Sequence, residues 1–128
     1  MPQRLLLDTD ILVDYLRRRA EAVHFLRGLS DRAVISAVTV AELYAGVREG
    51  REREGLETFI SHSIVVPVDV QIAERGGLIA RQYRASHGTG FADAIIAATA
   101  EIERATLVTL NTKHFPMLTD VLAPYVKN

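Results

Sequence analysis

Four short apolar runs, Arg4 to Leu7, Ala33 to Ser36, Ile64 to Val68 and Thr106 to Leu110, recur along the chain, and the stretches between them carry apolar residues at helical spacing. Strands this apolar are buried on both faces, and strands alternating with helices build a parallel sheet covered on both sides. The chain therefore reads as a single α/β domain over residues 1–128, with a central, mainly parallel sheet flanked by helices. The helical spacing predicts helices over Ile11 to Arg18, Ala20 to Leu29, Val40 to Glu49, Glu52 to His62, Val70 to Ser86 and Phe91 to Arg104. A chain of 128 residues at 48% hydrophobic content can bury a core of its own. The charge-rich stretch Arg48 to Glu57 mixes signs, which predicts a turn around Gly50 between two solvated helices.

Charge and cysteine content narrow the function classes. A formal net charge of -1 excludes the strongly basic surface of a sequence-indifferent nucleic-acid coat, although 13 of the 15 cations are arginines. Any phosphate binding must be local. The absence of cysteine excludes a disulfide framework and a zinc–thiolate site. The first strand is expected within a few residues of Met1, no run approaches ~18 apolar residues, and a cytoplasmic location away from any membrane is expected.

Every strand of a parallel sheet delivers its C-terminal end to the same edge, where ligands bind. Asp8, in the run Leu5 to Leu16, follows the first strand directly. Glu42 follows the second, where Thr39-x-x-Glu42 also matches a capping box. Asp93 opens a helix whose Ala94, Ile95, Ile96, Ala97, Ala98, Ala100 and Ile102 leave almost no polar face, so this acid is expected out of solvent. Three carboxylates gathered at one edge would repel and raise each other's pKa. Without thiols, the ion that suits them is a hard divalent cation, Mg²⁺ or Mn²⁺, able to activate water for phosphoryl displacement.

The stretches LLLDTDILVDYL, TVAELYAG, GFADAIIAATA and LVTLNTKHF, in this order and spacing, resemble the successive motifs of PIN-domain nucleases, and most closely the VapC toxins of toxin–antitoxin pairs. The resemblance spans the whole chain and implies a PIN-like fold with Asp8, Glu42 and Asp93 as catalytic and metal-holding residues. It further implies Mg²⁺- or Mn²⁺-dependent endoribonuclease activity on RNA, a homodimer and inhibition by a VapB-like antitoxin. The chain departs from the family in one place. Where many relatives carry a further aspartate, it reads Asn111, Thr112, Lys113, His114, Phe115. Asn111 could offer a carbonyl oxygen to a bound water. His114 either contacts phosphate, moves a proton or favours Mn²⁺, or is a loop histidine without chemistry.

Thr9 and Thr109, at strand ends, either orient water and carboxylates or are ordinary strand threonines. Asp10 is expected to cap the first helix, Asp14 to be solvated or paired with Arg17 or Arg18, and Asp69 to be an N-cap. Arg17, Arg18 and Arg19 suit the C-terminal end of a helix dipole. Tyr44 and Phe25 read as core or dimer surface. Two rival functions remain: a haloacid-dehalogenase-like phosphatase, from Asp8-Thr9-Asp10, and a non-enzymatic phospho-receiver, from Asp69 and Lys113. The phosphatase pattern would have threonine or glycine where this chain has Ile11 and a later paired-acid motif that is missing, and the receiver gives Glu42 and Asp93 no role.

Overall fold

The computed structural model describes residues 4–127. Five strands, β1 (Leu5–Leu7), β2 (Val34–Ser36), β3 (Ile64–Val66), β4 (Thr106–Val108) and β5 (Val121–Leu122), form one sheet in the order β3-β2-β1-β4-β5, with every neighbouring pair parallel. Helices α1 (Thr9–Leu16) and α2 (Ala20–Arg27) connect β1 to β2; α3 (Ala37–Gly46) and α4 (Arg51–Ser61) connect β2 to β3; α5 (Val70–His87) and α6 (Phe91–Glu103) carry the chain from β3 across to β4. This order excludes the receiver, whose flavodoxin-like sheet runs 2-1-3-4-5.

Two cores sit on opposite faces of the sheet, and the strands feed them alternately. Leu6, Val34 and Leu107 join Ile72, Ile79 and the α6 alanines, whereas the next residues, Leu7, Ile35 and Val108, join Ile11, Leu12, Leu43 and Leu56. Successive strand side chains point to opposite faces, so each apolar pair supplies both cores. Helix α6 is buried through Ala94, Ile96, Ala97, Ala98, Thr99 and Ala100, as its composition predicts. Its contact with α5 is close at Gly76, where a Cβ would stand 2.7 Å from Ile95 Cδ1 and 3.3 Å from Ile95 Cα, so that Ile95 would have to shift to admit one. Among the described residues no helix is long and apolar enough to cross a membrane.

The helix starts differ from expectation in two informative places. Helix α1 begins at Thr9 with Asp8, not Asp10, as its N-cap, the Asp8 carboxylate accepting from the Thr9 N–H. Helix α3 begins at Ala37, three residues before the expected Val40, because Ser36 Oγ accepts from the Val38 N–H at 3.1 Å and caps the helix. The capping box expected at Thr39 and Glu42 is therefore absent, and Glu42 lies a full turn into α3 with its side chain free for other work. Asp69 caps α5 as expected, accepting from the Ile72 N–H at 2.9 Å. Strand β5 and a single 3-10 turn over Thr112–His114 were not anticipated, being too short to carry a periodic signal.

Candidate active site

The strand order reverses between β1 and β4, and a ligand crevice opens at such a point beyond the strands' C-terminal ends. The register pairs Leu7 with Val108, so the residues that follow, Asp8 and Thr109, emerge side by side. Thr109 Oγ1 donates to Asp8 Oδ2 at 2.7 Å, and the Thr9 N–H donates to Asp8 Oδ1 at 2.8 Å. Asp8 is only 4% exposed. Burial first, then the Asp10 carboxylate, and last the charge of Asp93 push its pKa up to about 7, against the downward pull of the two hydrogen bonds. A carboxyl group so placed is half protonated at neutral pH unless a positive charge joins it.

Glu42 reaches the same edge from α3. It is exposed, and its Oε1 accepts from Thr9 Oγ1 at 2.7 Å, while Thr9 also bonds Thr39 Oγ1 at 3.2 Å. Thr9 thus links the α1 cap to the second-strand acid. Asp93, in the first turn of α6, is 27% exposed rather than out of solvent, and its Oδ2 accepts from the Gly90 N–H at 3.4 Å. The same oxygen lies 3.3 Å from His114 Nδ1. His114 is held there from behind, since its carbonyl accepts from the buried Thr89 hydroxyl at 2.7 Å. The segment after β4 thus places an imidazole against Asp93. Asn111 is exposed, and its N–H donates to Thr109 Oγ1 at 3.0 Å.

Asp10 is the residue that sequence reasoning assigned elsewhere. Its Oδ2 accepts from the Leu110 N–H at 2.9 Å and from Thr109 Oγ1 and Asn111 Nδ2 at 3.4 Å each. It ties the loop after β4 to α1. Burial raises its pKa too, opposed by hydrogen bonds from the Leu110 and Ile11 N–H groups. The D-x-D spacing was the available signal, because two residues further on brings the second acid to the same end of α1. Asp14 is corrected as well. It is buried and bonded to Tyr125 Oη at 2.7 Å and Lys127 Nζ at 2.6 Å, not to Arg17 or Arg18.

The sequence model of the PIN domain matches residues 5–117. The chain belongs to the PIN domain family. This PIN domain is 43% identical over 124 residues to Ribonuclease VapC19 of Mycobacterium tuberculosis strain H37Rv, covering 94% of this chain and 98% of that protein. It is 36% identical to Ribonuclease VapC10 of the same organism, covering 94% and 92%. Among solved structures, a toxin–antitoxin complex from Klebsiella pneumoniae superposes on this PIN domain with a TM-score of 0.82 at 30% identity, covering 96% of this chain and 99% of that one. Membership also removes the phosphatase reading of Asp8-Thr9-Asp10.

Proposed function

We propose that this PIN domain is the endoribonuclease toxin of a toxin–antitoxin pair, hydrolysing RNA phosphodiester bonds with a divalent cation, Mg²⁺ or Mn²⁺, in the cytoplasm. The observation that carries the reading is the gathering of Asp8, Asp10 and Asp93 at the C-terminal ends of β1 and β4, where burial first and the neighbouring carboxylates second raise the pKa of Asp8. Among the described residues no three carboxylate or imidazole side chains already stand as a metal-holding group. The donor set nevertheless fits a hard cation: it is carboxylate oxygen throughout, with one acid rigid and two adjustable. Asp8, Glu42 and Asp93 would hold the ion. When bound, it would lower the pKa of a coordinated water and offset charge on the scissile phosphate.

The chain's own residues do the positioning. Asp8 is fixed by Thr9 N–H and Thr109 Oγ1, so its carboxylate keeps one orientation while substrate exchanges. Thr9 orders the Glu42 carboxylate, which sits on the solvent side of the crevice and is suited to accept a proton from attacking water. Asn111 and His114 border the entrance, where an amide and an imidazole can contact the phosphate's non-bridging oxygens. The partners that follow from this reading are RNA, a VapB-like antitoxin whose Arg or Lys enters beside Asp8 and Asp93, and a second copy in a homodimer.

The test is to map cut ends in cellular RNA after brief expression of wild type and Asp8→Asn, and in purified RNA with Mn²⁺ or chelator. Metal-dependent cuts confined to wild type are expected; full activity in chelator would overturn the metal assignment.

A further inference from the structure

A groove of about 880 Å³ opens where the C-terminal end of α1 meets α2 and the start of α4, and its charge is strongly one-sided. Arg17, Arg18, Arg27, Arg48 and Arg51 line it against the single carboxylate of Glu52. That carboxylate is already engaged, accepting from the Arg48 N–H at 3.0 Å and pairing with Arg17 Nε at 3.2 Å. Arg18, Arg27 and Arg51 form no ion pair among the described residues, and Arg48 acts on Glu52 only at longer range. In a chain of net charge -1, this is a local concentration of unspent guanidinium.

Helix electrostatics accounts for only part of it. Arg17, Arg18 and Arg27 lie at C-terminal helix ends, where a cation is favoured, but Arg51 is the first residue of α4, where the dipole opposes one. Arg18 also keeps its side chain at φ 61, a left-handed conformation in which glycine would be unstrained. The groove lies one helix from the carboxylates. Helix α1 starts at Thr9, next to Asp8, and reaches the groove after eight residues, about 12 Å at 1.5 Å per residue. A single strand held at the crevice needs only a few nucleotides to reach it.

We propose that this groove is a phosphate-binding track for the single-stranded RNA substrate, gripping the backbone several nucleotides from the scissile bond through Arg18, Arg27, Arg48 and Arg51. The inference rests on the ribonuclease reading. Guanidiniums grip phosphates bidentately and without regard to base, so the track adds affinity and register, while base choice stays at the crevice.

The test titrates a fluorescent 12-nucleotide oligouridylate onto wild type and onto R27Q/R48Q/R51Q, with chelator present and over a range of salt. Arg17 is retained because it pairs with Glu52. The variant should bind at least ~10-fold more weakly, and its log K against log salt slope should flatten by about 2, at roughly 0.7 per phosphate contact. R27Q and R51Q singly should each flatten it by about 0.7. Equal affinity and slope in all proteins would overturn the proposal. So would a loss confined to a poly-glutamate probe, which would make the groove a site for an acidic protein segment. Cleavage of total RNA by wild type with Mn²⁺, run alongside, separates the two readings: no cleavage removes the ribonuclease assignment, whereas cleavage with unchanged binding removes only the track.

Discussion

The Thr109 hydroxyl donates to Asp8 Oδ2 at 2.7 Å across 101 positions of sequence. The pairing follows from the sheet, because Leu7 and Val108 are register partners and each strand then releases its next residue into the crevice. This bond holds the Asp8 pKa down against burial. Thr109→Val keeps the buried volume and removes the bond, so the Asp8 pKa should rise further above its value of about 7. A cation needs the deprotonated carboxylate. Calorimetric Mn²⁺ titration should therefore show the variant binding about 3- to 10-fold more weakly than wild type at pH 7, with the gap closing by pH 9. Equal affinities at pH 7 would mean that Thr109 does not tune Asp8.

The same shift makes stability depend on pH. A carboxyl whose folded pKa lies near 7 instead of 3.8 favours the folded state fully below pH 3.8, and that contribution is lost as pH rises to about 7. Over this window the metal-free protein should lose up to about 4 kcal/mol from Asp8, at 1.36 kcal/mol per pKa unit. Asp8→Asn should remove most of this dependence and be more stable than wild type at pH 8 without metal, while losing at least ~100-fold in cleavage rate. Denaturant unfolding at pH 5 and pH 8 checks the first half. A wild type equally stable at both, with Asp8→Asn less stable at pH 8, would contradict it.

How much of this was legible depended on the length scale of the signal. The two-faced core could be read because Leu6 and Leu7, or Leu107 and Val108, are adjacent apolar residues with no polar alternation, which only a doubly covered strand tolerates. Asp8 could be read for the same reason, as the acid that ends such a strand. The start of α3 could not. Ser36 and Thr39 are both acceptable caps, and the choice of Ser36 is made by the end of β2, a tertiary fact. Asp10 was misread because a carboxylate in a helix's first turn is ordinarily a local feature, whereas its main partner, the Leu110 N–H, arrives from 100 positions away. Pairings between distant loops leave no periodicity behind them.

His114 stands against Asp93, with Nδ1 3.3 Å from Asp93 Oδ2. His114→Asp would set a second carboxylate against Asp93 and complete an all-oxygen site. Magnesium, a harder ion than imidazole suits, should then bind at least ~10-fold more tightly, while Mn²⁺ should gain less. Titration of both ions into wild type and variant gives the ratio directly. A uniform gain for the two ions would show added charge rather than added ligation, and no gain would place His114 outside the metal's reach.

The C-terminal segment closes on α1 through a buried acid. Asp14, 6% exposed, accepts from Tyr125 Oη at 2.7 Å and Lys127 Nζ at 2.6 Å, and Arg19 lies over the Tyr125 ring at 5.8 Å. Burial and the neighbouring Asp14 carboxylate push the phenol's pKa well up, so the bond persists through alkaline pH. Removing either donor leaves a buried carboxylate short of a partner, which costs about 1–3 kcal/mol. Tyr125→Phe should fall at the upper end, because the phenol is partly buried against Asp14, and Lys127→Ala at the lower end, because its side chain is half in solvent and water can replace its ammonium. Salt separates the two: 0.5 M NaCl should weaken the Lys127 contribution and leave that of Tyr125 unchanged, since only the first is an ion pair at the surface. Neither variant touches the crevice, so Mn²⁺ affinity should stay at the wild-type value in both; a parallel loss of metal binding would mean that the segment also holds α1, and with it Asp8, in place.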